Sequence, residues 1–225
     1  MTEITEHLAE IVERVARAAQ RARTTNGVTI VAVSKEQPAS AIREAFLAGQ
    51  THFGESYVQE ASGKMAELEA LGITWHFVGR LQTNKTRAVA EAFHWVHTVD
   101  RDKIARRLSE QRPPHAPPLN VLIQVNQAGE PQKAGVAPHD VAALARAILS
   151  MPRLALRGLM TIPPAEDARG AAHWFAELAA LRRSLAADGI ELDTLSMGMS
   201  ADCETAIAAG ASCVRIGTAI FGARP

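Results

Sequence analysis

The residue of this chain with the clearest chemical potential is Lys35, which follows the apolar run VTIVAVS at 28–34. Such a run, rich in β-branched residues, is typical of a parallel strand that is buried on both faces. An amine at the end of a buried strand could form a Schiff base with a carbonyl compound. It could also be a lysine whose stem packs on the strand while its ammonium reaches water. An anion site facing the amine would favour the Schiff base.

Two glycine-containing loops near the end of the sequence could supply that anion site. In SMGMSADC, Gly198 lets the backbone approach a ligand closely, and Ser200 is predicted to cap a helix over 201–209. In VRIGTAIFG, Gly217 and Thr218 offer further amide and hydroxyl groups. Free amides and hydroxyls of this kind bind phosphate. A plain helix cap and a tight turn would give the same pattern, but the pairing of the two loops favours phosphate.

A third candidate is Arg215, which lies between Val214 and Ile216 in a predicted strand. Strand alternation sends its side chain to the opposite face from both neighbours. A guanidinium directed into a barrel needs an acceptor, which a pyridine nitrogen or a carboxylate could provide. The alternative is a buried ion pair with a structural role.

The elements that position these residues alternate between strands and helices. Ala-rich amphipathic segments follow the strands, and several end on Gly or Pro as helices do. The strands are predicted at 28–34, 51–54, 73–79, 94–98, 119–125, 154–160, 194–198 and 212–217. About eight βα units predict an α/β fold, a single (β/α)8 TIM barrel. Active sites of such barrels lie at the carboxyl ends of the strands, and phosphate commonly binds the loops after strands seven and eight.

Before the first strand, Ile4, Leu8, Ile11 and Val15 follow helical spacing, and Thr2 could cap the start. The sequence therefore predicts an extra amino-terminal helix. The proline-rich segment RPPHAPP is predicted to be a surface connector at the bottom of the barrel. No linker separates two domains, so residues 1–225 are predicted to form one domain.

Composition restricts the environment and the partners. The sequence has 24 Lys plus Arg and 24 Asp plus Glu, which gives no indication of nucleic-acid or anionic-membrane binding. Its first residues are too acidic for an export signal, and no apolar stretch approaches the ~20 residues of a membrane span. Cys203 and Cys213 are too few for a disulfide framework, lack zinc-ligand spacing, and are predicted to be packing residues. These features favour the cytoplasm.

Several segments resemble the pyridoxal phosphate (PLP) homeostasis proteins, whose barrel is the PLP fold-type III barrel of alanine racemase. The resemblance covers nearly the whole chain, and the order and spacing of its motifs argue against a chance match. The matching segments are VAVSK at 31–35, HFGESYVQE at 52–60, WHFVGRLQTNK at 75–85, GLMTIPP at 158–164, LSMGMSADCETAI at 195–207 and VRIGTAIFG at 214–222.

The resemblance implies that PLP is bound as a Schiff base on Lys35. It also implies that the phosphate lies among Ser200, Gly217 and Thr218, with Met199 part of the same cofactor site. We therefore expect the two loops and Lys35 to form a single cofactor site.

The resemblance further implies that Arg215 faces the pyridine nitrogen and leaves it unprotonated, which weakens the ring as an electron sink. Ser56 stands where the family usually has an asparagine, in GENYVQE. The resemblance implies that this position lies near the cofactor ring and makes Ser56 a cofactor contact, although a serine is too short to make the contact of the asparagine without a water molecule. His76 is expected to be a buried, hydrogen-bonded residue that packs near the ring.

Two further polar segments have no role that the sequence defines. GRLQTNK carries Arg80, Gln82, Asn84 and Lys85. Lys133, in the loop after the fifth predicted strand, could be a second amine near the barrel mouth, although we favour an exposed loop lysine.

Three functions remain open. The resemblance favours a monomeric carrier that buffers PLP or delivers it to apo PLP enzymes, without robust catalytic activity. A PLP-dependent racemase of the related fold draws its second base, a tyrosine, from a carboxyl-terminal β domain that we do not expect here, and the only tyrosine is Tyr57. A Schiff-base aldolase acting on a phosphorylated sugar would use the same lysine and phosphate loops.

Overall fold

The structure, a computed structural model, describes residues 2–24, 27–164, 167 and 169–223. Eight parallel strands form a closed barrel in which the first strand pairs with the eighth. Each predicted strand overlaps an observed one, which confirms the (β/α)8 barrel. The strands are β1 (Thr29–Val33), β2 (His52–Glu55), β3 (Thr74–Phe77), β4 (Trp95–Val99), β5 (Leu119–Gln124), β6 (Leu154–Met160), β7 (Thr194–Ser196) and β8 (Cys213–Ile216).

The first helix precedes the first strand, the other helices follow strands, and the helices cover the outside of the barrel. They are α1 (Glu3–Ala22), α2 (Ala39–Leu47), α3 (Val58–Glu67), α4 (Thr86–Ala92), α5 (Asp102–Gln111), α6 (Val141–Leu149), α7 (Gly170–Ala187), α8 (Cys203–Ala208) and α9 (Thr218–Phe221). Short 3-10 turns at Thr83–Lys85 and Pro138–Asp140 precede α4 and α6. Among the residues that the structure describes, no helix is long and apolar enough to cross a membrane.

Strand alternation divides the core into two layers. Phe53 and Phe77 are buried between the strands and the helices. The neighbouring positions Gly54 and His76 pair across β2 and β3 and face the barrel interior. A Cβ atom at Gly54 would lie 3.0 Å from Cγ1 of Val31, so this interior position leaves little room for a side chain. The side chain of His76 therefore lies in the interior layer of the barrel.

The predicted amino-terminal helix is confirmed, because Leu8, Ile11 and Val15 are buried on one face of α1. That face packs against α8 and α9. Thr2 lies at the N-cap position, but it caps no amide. Its hydroxyl instead contacts the Thr5 hydroxyl at 2.9 Å. The cap prediction was therefore right in position and wrong in interaction.

The proline-rich segment joins α5 to β5 at the amino-terminal end of the barrel, as predicted. Its first residue, Arg112, is buried and donates hydrogen bonds to the carbonyls of Ala90 and Phe93. This anchor holds the connector against the barrel. Cys203 and Cys213 are buried and free, which confirms their prediction as packing residues.

Candidate functional site

Lys35 lies at the carboxyl end of the barrel, two residues after β1 ends at Val33. Its half-buried side chain lines a small cavity with Gly217 and Thr218. The next residue, Glu36, has a φ of 65°, a conformation that non-glycine residues rarely adopt. The chain therefore turns sharply just after Lys35, and the lysine and the predicted phosphate loop share one cavity.

A buried cluster of charges contacts Ser34, the residue that precedes Lys35. Oε1 of the fully buried Glu55 accepts a hydrogen bond from the Ser34 hydroxyl at 2.6 Å and from Nζ of Lys64 at 2.8 Å. Lys64 also donates to the Ser34 carbonyl at 2.7 Å and to Glu60 at 2.5 Å. Burial raises the pKa of Glu55, while Lys64 and Ser34 oppose that rise. The cluster holds the peptide that carries Lys35.

Sequence reasoning missed this cluster, although two signals were present. Glu55 directly follows the predicted strand at 51–54, and Lys64 lies four residues after Glu60 in the helical stretch expected before the next strand. Opposite charges at that spacing face each other on a helix.

The two predicted phosphate loops meet at the rim of the barrel. Oγ1 of Thr218 lies 3.4 Å from Oγ of Ser200, and Gly217 immediately precedes α9. Gly198 has a φ of 92°, and a Cβ atom there would lie 2.5 Å from the Cβ of Ala206. Only glycine fits this position, so the loop after β7 can pack tightly on α8. Two hydroxyls thus point to one place beside the Lys35 cavity.

The predicted helix over 201–209 was wrong at its start, because α8 begins at Cys203 and Asp202 takes the N-cap position. The carboxylate of Asp202 accepts the backbone N–H of Met199 at 2.6 Å, which closes the turn before the helix. Ser200 therefore caps no helix, and the Met199 amide is already engaged. The group that Ser200 contributes is its hydroxyl.

The amino-terminal helix supports both loops. Arg14 donates to the Ser200 carbonyl at 3.0 Å and pairs with Glu204 at 3.5 Å. A ring nitrogen of His7 lies 3.3 Å from the Ile220 carbonyl in α9. The helix that precedes the barrel thus fixes the positions of the loops after β7 and β8.

Arg215 points into the barrel interior and is 5% exposed. It donates to Oγ of Ser196 at 2.7 Å and to the Thr161 carbonyl at 2.9 Å. Both acceptors are neutral, so these contacts do not make a buried ion pair. Burial lowers the pKa of this guanidinium. Its remaining N–H groups are available to a further acceptor.

His76 is buried and hydrogen-bonded, as expected, but the structure does not bring it together with Lys35. Its ring lies between those of His52 and His97, with ring nitrogens 2.9 Å apart on each side. It lines a cavity with Thr29 and His52, the first residues of their strands, so that cavity opens at the opposite end of the barrel. A position inside a short strand places its ring among other interior side chains rather than at the rim.

Ser56 also lies apart from the Lys35 cavity. It lines a separate groove at the ends of β2 and β3 together with Arg80, Gln82 and Lys85. The same groove includes the exposed Tyr57. The polar motif after β3 therefore forms a basic surface beside the predicted site.

Lys133 is not the exposed loop lysine that we favoured. Its side chain is 30% exposed, and its ammonium lies 2.6 Å from the Glu130 carboxylate. It also donates to the Pro163 carbonyl at 3.2 Å, which joins the loops after β5 and β6. Asn84 is exposed, next to Lys85.

Comparison with known proteins identifies the family of this chain. The sequence model of the alanine racemase N-terminal domain matches residues 7–225. The pyridoxal phosphate homeostasis protein of Pseudomonas aeruginosa is 56% identical over 225 residues, covering 100% of this chain and 97% of that protein. The protein of the same name from Escherichia coli K12 is 49% identical over 229 residues, covering 100% of this chain and 98% of the relative.

Solved structures show the same fold. PipY of Synechococcus elongatus with PLP bound is 38% identical, with a TM-score of 0.86 over 97% of this chain and 100% of PipY. Alanine racemase from E. faecalis, at 18% identity and a TM-score of 0.73, shares the fold over 99% of this chain and 58% of the racemase. The chain therefore belongs to the alanine racemase N-terminal domain family and, within it, to the pyridoxal phosphate homeostasis proteins.

Proposed function

We propose that this protein binds PLP at the carboxyl end of its barrel and buffers or delivers it inside the cell. Lys35 holds the cofactor as a Schiff base, which forms when the amine condenses with the aldehyde and releases water. The observation that carries the proposal is the shared cavity of Lys35, Gly217 and Thr218. The names of close relatives and the PLP bound to PipY support it.

The residues at this end of the barrel fit the chemistry of the cofactor. The hydroxyls of Ser200 and Thr218 offer donors to a phosphate. Met199 adds its exposed side chain at the edge, since its amide is engaged by Asp202. Arg215 has donors left for a ring nitrogen, and a guanidinium there keeps that nitrogen unprotonated. Ser56 and His76 take no direct part in this arrangement.

A covalent label tests the lysine. The purified holo protein should absorb visible light, lose that band on borohydride treatment, and carry the reduced cofactor on the peptide that contains Lys35. Lys35→Ala should remove the label while the circular dichroism spectrum stays that of a folded barrel, because a rim residue contributes little to the core. Lys103→Ala, an exposed lysine on α5, is the control. Full labelling of Lys35→Ala would overturn the assignment.

The same experiment separates the proposal from a Schiff-base aldolase. An aldolase that acts on a phosphorylated sugar would use a rim lysine without a bound chromophore. A colourless protein that borohydride labels covalently only in the presence of such a sugar would favour the aldolase.

The protein stores or transfers the cofactor and does not turn over amino acids. With an unprotonated ring nitrogen, the cofactor is a weak sink for a carbanion. The single tyrosine, Tyr57, is exposed on the groove beside Arg80 and does not line the Lys35 cavity. A racemase needs an acid/base pair on both faces of the substrate carbon.

Deuterium exchange distinguishes the carrier from the racemase. The holo protein should incorporate no appreciable deuterium at the α-carbon of common amino acids, and should activate an apo PLP enzyme when mixed with it. Rapid exchange with even one amino acid, without cofactor transfer, would establish the racemase instead.

The protein works as a monomer in the cytoplasm. The balanced charge and two buried, unpaired cysteines support this environment. Light scattering during size-exclusion chromatography should give the mass of one chain, and the mass of two chains would refute the monomer.

A further inference from the structure

A continuous chain of hydrogen-bonded side chains crosses the barrel interior. Nδ1 of His52 lies 2.9 Å from Nε2 of His76, and Nδ1 of His76 lies 2.9 Å from Nε2 of His97. Nδ1 of His97 lies 2.9 Å from Oγ of Ser196, which accepts from Arg215 at 2.7 Å. The chain therefore connects the cavity at the amino-terminal end of the barrel with the arginine expected to face the cofactor ring.

The direction of the hydrogen bonds follows from the end at Arg215. A guanidinium can only donate, so it occupies a lone pair on Oγ of Ser196. The single hydrogen of the Ser196 hydroxyl can then go to Nδ1 of His97 or to the thiol of Cys213, which also contacts it. Sulfur is a weak acceptor, whereas an imidazole nitrogen is a good one. Ser196 therefore donates to His97.

Each following bond is fixed in turn. Burial lowers the pKa of His97 to about 3 and that of His76 well below its usual range, so both rings are neutral near pH 7. A neutral ring has one donor nitrogen and one acceptor nitrogen. Because Nδ1 of His97 accepts, its Nε2–H donates to His76, and Nε2–H of His76 donates to His52. The free end of the chain is then Nε2–H of His52.

We propose that Ser196, His97, His76 and His52 are positioning residues for Arg215, and that their common tautomer order couples the amino-end cavity to the cofactor site. A serine that donates to His97 becomes a better acceptor for Arg215, because hydrogen bonds in a chain polarise one another. In the reverse order, Ser196 would accept from both His97 and Arg215, and its own hydrogen would be left with the thiol of Cys213, a weak acceptor. The coupling to the cofactor rests on the proposed function.

The tautomer order can be measured in the protein without cofactor. Nitrogen NMR on protein labelled with ¹⁵N-histidine should show His52, His76 and His97 all protonated at Nε2. Ser196→Ala should change the tautomer population of His76, although the two residues do not touch. A purely structural core would leave His76 as it was. Mixed tautomers in the wild type, or an unchanged His76 in Ser196→Ala, would overturn the proposal.

The coupling is tested from both ends. Replacement of the half-buried His52 by leucine should weaken PLP binding about fivefold, the lower end of typical coupling between sites, and shift the visible absorption band. His115→Gln, an exposed histidine at the same end of the barrel, should change neither. Because coupling is reciprocal, PLP binding to the wild type should move the ¹⁵N signals of His52.

These outcomes separate two kinds of failure. If PLP produces no visible band in the wild type, the proposed cofactor site fails while the tautomer order still stands or falls on the measurement without cofactor. If PLP binds and His52→Leu behaves as His115→Gln does, with no movement of the His52 signals, the coupling is refuted. If His52→Leu does not fold, the wild-type comparison with and without PLP decides.

Discussion

The ammonium of Lys64 lies 2.8 Å from Oε1 of Glu55, and both side chains are buried behind the peptide that leads to Lys35. The second oxygen of Glu55 has no hydrogen-bond partner in the described part of the chain. A buried carboxylate with one unpaired oxygen depends strongly on its remaining partners. The Glu55–Lys64 pair therefore stabilises the barrel and also holds the peptide that positions Lys35 at the rim.

Lys64→Met should destabilise the protein by roughly 3 to 5 kcal/mol, because it leaves the Glu55 carboxylate buried without its cation. Urea unfolding followed by circular dichroism measures the loss. The control is Glu91→Gln, which breaks the exposed Arg87–Glu91 pair and should cost under about 1 kcal/mol.

Combining Lys64→Met with Glu55→Leu should recover part of the lost stability, since no charge is then left buried. A Lys64→Met protein as stable as Glu91→Gln would show that the cluster contributes little to folding.

Ser200→Ala together with Thr218→Val should weaken PLP retention, because each hydroxyl would lose a charge-assisted hydrogen bond worth roughly 1.5 to 3 kcal/mol. Dialysis of the holo protein against a free amine, followed by the visible spectrum, measures retention. Thr205→Val, an exposed position on α8, should have no effect. Equal retention in the double variant and this control would place the phosphate elsewhere.

Arg14→Ala should also weaken PLP retention, although Arg14 lies on α1 and outside the Lys35 cavity. The variant removes the donor that holds the Ser200 carbonyl, so the loop after β7 becomes less ordered. Arg17→Ala is a matched control on the same helix, because Arg17 pairs only with the exposed Glu13 in the contacts described. A stopped-flow measurement of cofactor release should separate the two variants, and identical release rates would argue against a supporting role of α1.

Stability should fall as the pH is lowered from about 6.5 toward 3. Burial holds the pKa of His97 at about 3, while an unfolded histidine binds a proton below its ordinary value of 6.5. In that window the unfolded state holds more protons, so the free energy of unfolding decreases with falling pH, by up to about 5 kcal/mol for this residue alone.

His97→Asn removes this titration, and the difference in unfolding free energy between pH 7 and pH 4 should shrink. The exposed His115→Asn should keep the wild-type slope. Urea unfolding at a series of pH values measures both, and parallel slopes for His97→Asn and the wild type would contradict the assignment.

Much of the fold was predictable from local patterns. The apolar β-branched run before Lys35, the amphipathic spacing of Leu8, Ile11 and Val15, and the regular alternation of strands and helices specify a barrel with an added helix. Strand alternation also predicted that Arg215 lies on the opposite face of its strand from Val214 and Ile216. These properties depend on periods of two and 3.6 residues, which a sequence displays directly.

The details of the loops were not predictable in the same way. The start of α8 moved from the expected position to Cys203, because the carboxylate of Asp202 closes a turn with Met199. Lys133 proved to be engaged because a loop thirty residues further along the chain supplies the Pro163 carbonyl. Such contacts arise between segments that are distant in sequence.

The sequence by itself thus determined the barrel, the strand-end position of Lys35 and the composition of the loops that follow β7 and β8. Only the tertiary structure decided that His76 joins His52 and His97 at the far end of the interior, and that Glu55 and Lys64 lie behind Lys35. The reason is physical: the direction of a side chain along a strand is set locally, whereas its hydrogen-bond partners depend on how closing the barrel brings distant strands together.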